Sequence, residues 1–196
     1  MDHRRIPANL ITGATGTGKT TLVFSLLEQR PETERWAVLL NDFGRTMHSA
    51  STVGAGGNVI VREVAGCICC TGQVLLRTAL VSLLREARPH RLLIEASAAA
   101  DPASVIRVLN GPGLATTVEL RSTLCTVDAG QLADRRYVAN DVYRTQVAAA
   151  DVIVLGPIGA STEGAYAAAL ARITEIRSTP ARVIDASDIG KLLDLL

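Results

Sequence analysis

Three groups of residues in this 196-residue chain have types and spacings suited to chemistry. The first is Gly13-Ala14-Thr15-Gly16-Thr17-Gly18-Lys19-Thr20, a run of the form G-x-x-x-x-G-K-[ST]. Its glycines allow a backbone curl in which successive N–H groups point inward at an anion. The lysine adds a point charge for the β- and γ-phosphates, and the last hydroxyl can ligate Mg²⁺. Lys19 is one of two lysines against 18 arginines, so its place in the motif stands out from the background. The second group is Cys67, Cys69 and Cys70, three of the four cysteines within four residues. Three thiolates so close together can converge on a borderline cation and leave a fourth position for water, a second subunit or a client side chain. Redox switching and simple burial as small apolar side chains are the other uses of such residues, although a bond between the adjacent Cys69 and Cys70 would be strained. The third is Glu95, at the end of the apolar run Arg91-Leu92-Leu93-Ile94. A carboxylate carried that far inward needs a partner, and Mg²⁺ beside a phosphate loop is one. Cys125 stands alone in an apolar run and reads as a buried hydrophobe, and His48 and His90 read as surface residues.

These groups need a frame, and the hydrophobic pattern supplies one. Leu10-Ile11-Thr12 closes a strand directly before the glycine run. The segment from Thr20 carries Leu22/Leu26 and Val23/Leu27 at helical spacing and stops near Pro31. Trp36–Leu40, Asn58–Val61, Arg91–Ala96, Ser122–Val127, Asp151–Leu155 and Ala181–Ile184 read as further strands, apolar almost throughout, as strands covered on both faces should be. Helical periods fill the intervals: about Gln73 to Ala87, from Asp101-Pro102 onward, a weaker pattern through Leu132, Val138, Val142 and Val147, one around Tyr166–Ile173, and Ile189–Leu196. The alternation predicts an α/β fold, a mostly parallel sheet of about seven strands with helices on both faces and right-handed crossovers, in one domain over residues 1–196.

Composition narrows the class. With 48% hydrophobic residues and a formal net charge of +1, the chain is not of the disordered type. Its apolar runs meet charges long before 18 residues, and its first residues contain no signal core, so a cytoplasmic protein without a membrane partner is expected. Six scattered aromatics and a balanced charge give no nucleic-acid footprint. In a reducing compartment the cysteine cluster points to metal or redox chemistry, not to a disulfide framework.

Four motifs taken in order resemble the CobW-type metal-chaperone GTPases, relatives of the nickel-inserting GTPases that mature hydrogenase and urease. They are the glycine run, Asn41-Asp42-Phe43-Gly44, Gly66-Cys67-Ile68-Cys69-Cys70, and Glu95-Ala96-Ser97-Ala98-Ala99-Ala100-Asp101-Pro102, and the likeness extends from about Leu10 to about Leu155. The resemblance implies a P-loop NTPase that uses GTP or another nucleoside triphosphate with Mg²⁺. It implies nucleotide contacts from Gly13, Ala14, Gly16, Thr17, Gly18, Lys19, Thr20, Thr21 and Ala98, catalytic roles for Lys19, Glu95 and Asp42, and Mg²⁺ on Thr20 and Glu95. It further implies Zn²⁺ or Co²⁺ on Cys67, Cys69 and Cys70, a client metalloprotein as partner, and a homodimer like those of the nickel-inserting relatives.

The departures carry expectations of their own. Asp42 stands where the family has Glu and reaches less far. Ala98 stands where the family has glycine and would stiffen the loop if a positive φ were required. Gly156-Pro157-Ile158-Gly159 replaces N-K-x-D, so no carboxylate there accepts the guanine N1–H and N2–H₂ pair, and base discrimination falls by about 10²-fold or more. No catalytic Gln or Arg finger can be assigned, which implies slow hydrolysis. A chain ending at Leu196 is expected to lack the extra C-terminal domain of many relatives. The leading reading is a nucleotide-gated metal chaperone whose loops Asn41–Gly57 and Glu95–Asp101 switch with the γ-phosphate. A non-hydrolysing metal-binding or regulatory relative is the alternative, and a small-molecule P-loop kinase the third.

Overall fold

The computed structural model describes residues 5–41, 58–64, 72–156, 163–177 and 179–196. Asp42, the three clustered cysteines, His48 and Pro157–Gly159 lie outside the described residues. Among the described residues seven strands, β1 (Ile6–Gly13), β2 (Trp36–Leu40), β3 (Val59–Glu63), β4 (Arg91–Glu95), β5 (Val118–Val127), β6 (Val152–Leu155) and β7 (Arg182–Asp185), form one sheet in the order β3-β2-β4-β1-β5-β6-β7. Every pairing is parallel. All seven carboxyl ends therefore reach the same edge, and the strand order reverses about β1, which is where α/β sheets open a crevice for ligands.

Alternation along each strand sends successive side chains to opposite faces. Ala8 and Leu10 of β1, Leu39 of β2 and Leu92 and Ile94 of β4 pack beneath α2 (Gly72–Ala87) and α3 (Pro102–Leu109). Ile11, Val38, Leu93 and Leu124 face the other way, under α1 (Lys19–Glu28) and α8 (Ile189–Leu193). Cys125, Val127, Ile153 and Leu155 extend the first face beneath α6 (Asp141–Ala149) and α7 (Glu163–Ile176). Each buried leucine contributes roughly 1.5–3 kcal/mol, which fixes the sheet as the stiff part of the molecule.

Two elements differ from the sequence reading. The weak helical pattern after β5 is three helices, α4 (Ala129–Ala133), α5 (Arg135–Val138) and α6, because Asp128, Asp134 and Asn140 each accept a first-turn N–H and restart the helix. β5 begins at Val118, four residues before Ser122, on a half-buried stretch where Glu119 and Arg121 alternate with Val118 and Leu120 instead of continuing the apolar run. Asp101 caps α3 with Pro102 in its first turn, as the sequence predicts. No described helix is long and apolar enough to cross a membrane.

Candidate functional site

The glycine run leaves β1 at the centre of the sheet and turns straight into α1. Gly13 has φ 139° because its hydrogen faces β5: a Cβ there would overlap the Thr126 carbonyl oxygen and lie 2.9 Å from Thr17 Oγ1. Gly16 and Gly18 also take positive φ, yet a Cβ on either would meet nothing within 4 Å, so the space in front of the loop is open. Gly18 is the N-cap of α1 and supplies no side-chain acceptor. The first-turn amides are therefore left for an anion, on the side favoured by the helix dipole.

Side chains from β5 and α4, with two of the loop's own, hold the cradle in shape. Thr17 Oγ1 lies 2.7 Å from Thr126 Oγ1 and also donates to Ala14 O at 2.9 Å. Gln131, at the start of α4, donates its Nε2 to Thr15 O at 3.0 Å. Lys19 is buried and donates Nζ to Gly13 O and Ala14 O, both at 2.9 Å, so its charge sits inside the loop it belongs to. Thr21 is exposed at the mouth of the crevice.

Glu95 reaches the same place from β4. Register pairs it with Ile11 of β1 and Leu40 of β2, and it is 2% exposed. Thr20 Oγ1 donates to Glu95 Oε1 at 2.8 Å. A hydroxyl oxygen and a carboxylate oxygen so close together beside a cationic cradle are the hard-oxygen pair that suits Mg²⁺.

From Glu95 the contacts continue toward the sheet edge. Asn41, 1% exposed, donates its backbone N–H to Glu95 O at 2.9 Å and its Nδ2 to Val64 O at 2.9 Å. Val64 is the last described residue before the segment holding Cys67, Cys69 and Cys70, and Asn41 the last before the segment holding Asp42. Among the described residues no group of three His, Cys, Asp or Glu side chains could hold a metal ion.

The crevice continues beyond the ends of β5, β6 and β7 into a cleft of about 290 Å³, lined by Thr21, Ser25, Asp128, Gly156, Ala186 and Ile189 among others. Gly156 and Ala186 spend their backbone N–H groups on Val127 O (2.7 Å) and Leu155 O (2.8 Å). A larger open hollow of about 710 Å³ runs along α2 between Val74 and Glu86, away from the phosphate loop.

The loop after β4 is pinned along its length. Ala96 N–H bonds to Ile11 O, Ser97 closes a turn onto Ala99 and Ala100, and Asp101 caps α3. Ala98 does not have positive φ, since Arg88 alone does among the described non-glycine residues. Alanine in place of the family's glycine is therefore unstrained in this conformation. Behind the loop, Gln146 of α6 is fully buried and donates Nε2 to Ala98 O and Ala100 O, each at 3.0 Å. Cys125 is fully buried under the cradle, and burial pushes its thiol up to about 12, as befits an inert core cysteine. His90 is exposed and accepts from the Arg35 N–H through Nδ1.

Thr126, Asp128, Gln131, Asn41's carboxamide and Gln146 were not singled out from sequence as parts of this site. Asp128 carries a local signal as a cap three residues before Gln131, whose backbone N–H it accepts at 2.9 Å.

Residues 7–184 match the model of a family described as "CobW/HypB/UreG, nucleotide-binding domain". The chain is 38% identical over 146 residues to the zinc chaperone YeiR of Escherichia coli K12, covering 74% of this chain and 44% of that protein. It is 30% identical over 179 residues to the zinc chaperone CobW of a Sinorhizobium species, covering 77% of this chain and 50% of that one. The crystal structure of the Zn(II)-bound YjiA GTPase of E. coli superposes with a TM-score of 0.65 at 24% identity, over 92% of this chain and 57% of that one. The chain thus spans about half the length of the curated relatives it matches.

Proposed function

Because this chain belongs to the CobW/HypB/UreG nucleotide-binding-domain family, we propose that it acts as a nucleotide-gated zinc-chaperone GTPase. The observation that carries this reading is the run of hydrogen bonds Thr20–Glu95–Asn41–Val64, which leads from the phosphate loop to the start of the cysteine segment. In this reading Gly13, Ala14, Gly16, Thr17, Gly18 and the first turn of α1 enclose the phosphates, and Lys19 Nζ turns from loop carbonyls to phosphate oxygens. Thr21 borders the nucleoside side and Ala98 the γ-phosphate side. Thr20 and Glu95 would hold Mg²⁺, which would neutralise negative charge on the phosphates. Cleavage of the β–γ bond by water leaves diphosphate and phosphate. Gln131, bonded to the cradle, and Gln146, bonded to the loop after β4, are both committed to backbone carbonyls, which supports slow intrinsic turnover.

Zinc, or cobalt in second place, is the cargo, held by Cys67, Cys69 and Cys70 and passed to a client metalloprotein by a homodimer. That the similar YeiR and CobW are zinc chaperones supports zinc. Coupling requires zinc affinity to differ between the triphosphate- and diphosphate-bound forms. Asp42, beyond Asn41, would sense the same change.

The test is phosphate release from GTP by the full chain, together with zinc titration in the presence of GDP or a non-hydrolysable GTP analogue. Lys19→Ala should lower turnover by about 10²–10³-fold. The Cys67→Ser/Cys69→Ser/Cys70→Ser protein should lose tight zinc binding. Equal zinc affinity with both nucleotides would overturn the gating, and undiminished zinc binding by the triple variant would overturn the site.

A further inference from the structure

The sheet order gives the phosphate crevice a direction. The cleft of about 290 Å³ lies toward β6 and β7, whereas the Thr20–Glu95 pair lies toward β4, on the other side of β1. A polyphosphate running from the cleft across the start of α1 therefore ends on the β4 side, against the loop that leaves Glu95. Whatever fixes that loop fixes the far end of the phosphate chain.

From this we infer that Gln146 is a positioning residue for recognition of the terminal phosphate. It rests on the reading that the cradle takes a nucleoside triphosphate. Gln146 lies on the apolar face of α6, between Tyr143 and Val147, and none of its surface is exposed. Both groups it meets through Nε2 are carbonyl oxygens, so only the amide nitrogen can face them and the carboxamide's orientation is decided. The two carbonyls flank Ala99, so the clamp grips the loop at two points while Ser97 and Asp101 shape its ends. Its Oε1 is buried and meets no donor among the described residues. An apolar side chain would avoid that cost to stability, and a role in holding the loop gives a reason for a glutamine at this place. The helix is itself anchored: Arg177 Nη1 donates to Val147 O and Ala150 O, both at 2.6 Å, at its carboxyl end. Gln146 thus ties the loop to a braced element and not to the phosphate loop or the sheet edge.

The test uses the full chain with Mg²⁺ and measures, by calorimetry, affinity for GDP and for a non-hydrolysable GTP analogue. Gln146→Met keeps the volume and removes the two donors. It should lower the triphosphate-to-diphosphate affinity ratio about tenfold, since two hydrogen bonds are lost, while GDP affinity stays within about twofold because the cradle is untouched. General destabilisation would weaken both nucleotides alike. Tyr143→Phe, one turn earlier on the same buried face, should leave the ratio unchanged. A Gln146→Met protein that keeps the unaltered ratio overturns the inference alone. Failure of the unaltered chain to bind either nucleotide overturns the nucleotide reading and this inference with it. Should Gln146→Met not fold, the carboxamide ¹⁵N–¹H signals of Gln146 in the unaltered chain decide: they should shift when the analogue replaces GDP, and identical signals overturn the proposal.

Discussion

The loops after β1 and β4 meet at one crevice, but they are held by different means. The loop after β1 is shaped by what is missing: Gly13 makes room for the Thr126 carbonyl, and Gly16 and Gly18 take backbone angles that side chains rarely allow. The loop after β4 has no glycine between Glu95 and Pro102 and none of its residues has positive φ. It is held from outside instead, by Ile11, Gln146 and its own Ser97 and Asp101. A loop that must wrap an anion with its own amides needs backbone freedom. A loop that presents one edge to the end of that anion needs a fixed back.

Substitutions should separate the two. Gly13→Ala is expected to have the largest effect: the new Cβ strikes backbone, which cannot swing away, and φ 139° is strained for alanine. Loss of roughly 3 kcal/mol or more in urea unfolding is expected, with nucleotide binding lost in whatever remains folded. A near-normal unfolding midpoint would mean that the loop can shift off β5. Thr126→Val removes the hydroxyl that meets Thr17 at 2.7 Å and bonds to Thr12 O at 3.2 Å. It should cost about 1–3 kcal/mol and weaken GDP and GTP-analogue binding to a similar degree, because it loosens the cradle common to both. A selective loss of the triphosphate would shift γ-phosphate recognition from the β4 loop to this one.

Ala98→Gly should have the smallest effect. With no positive φ to relieve, glycine only adds freedom to the unfolded chain, about 0.4–1 kcal/mol, and leaves nucleotide affinities alone. A gain in triphosphate affinity or turnover would show that the working conformation of this loop differs from the one described.

Much of the frame was legible from residue order because its signals are local. Apolar runs such as Trp36–Leu40 and Val152–Leu155 are covered on both faces, so their hydrophobicity is continuous and hard to mistake. Asp101-Pro102 announces a helix start through a bond spanning two residues. The division of the region after β5 into three helices was less legible, because Asp134 and Asn140 are ordinary polar residues within a weak period until their side chains cap. Of the site, the phosphate loop and Glu95 were visible. Their supports were not, since Gln131, Thr126 and Gln146 act on backbone groups far away in sequence. Gln146 left one faint mark, a polar residue in the apolar stripe of Tyr143 and Val147.

Residue order by itself determined that a strand ends in an anion-ready turn at Gly13–Thr20 and that a carboxylate closes another apolar strand at Glu95, because both depend on neighbours a few residues away. Tertiary structure alone decided that Glu95 comes to lie 2.8 Å from Thr20, 75 residues apart, and that α6 braces the loop beyond it. Parallel pairing sets all the strand ends on one edge, and which strands become neighbours there is settled by packing the whole sheet between its helices.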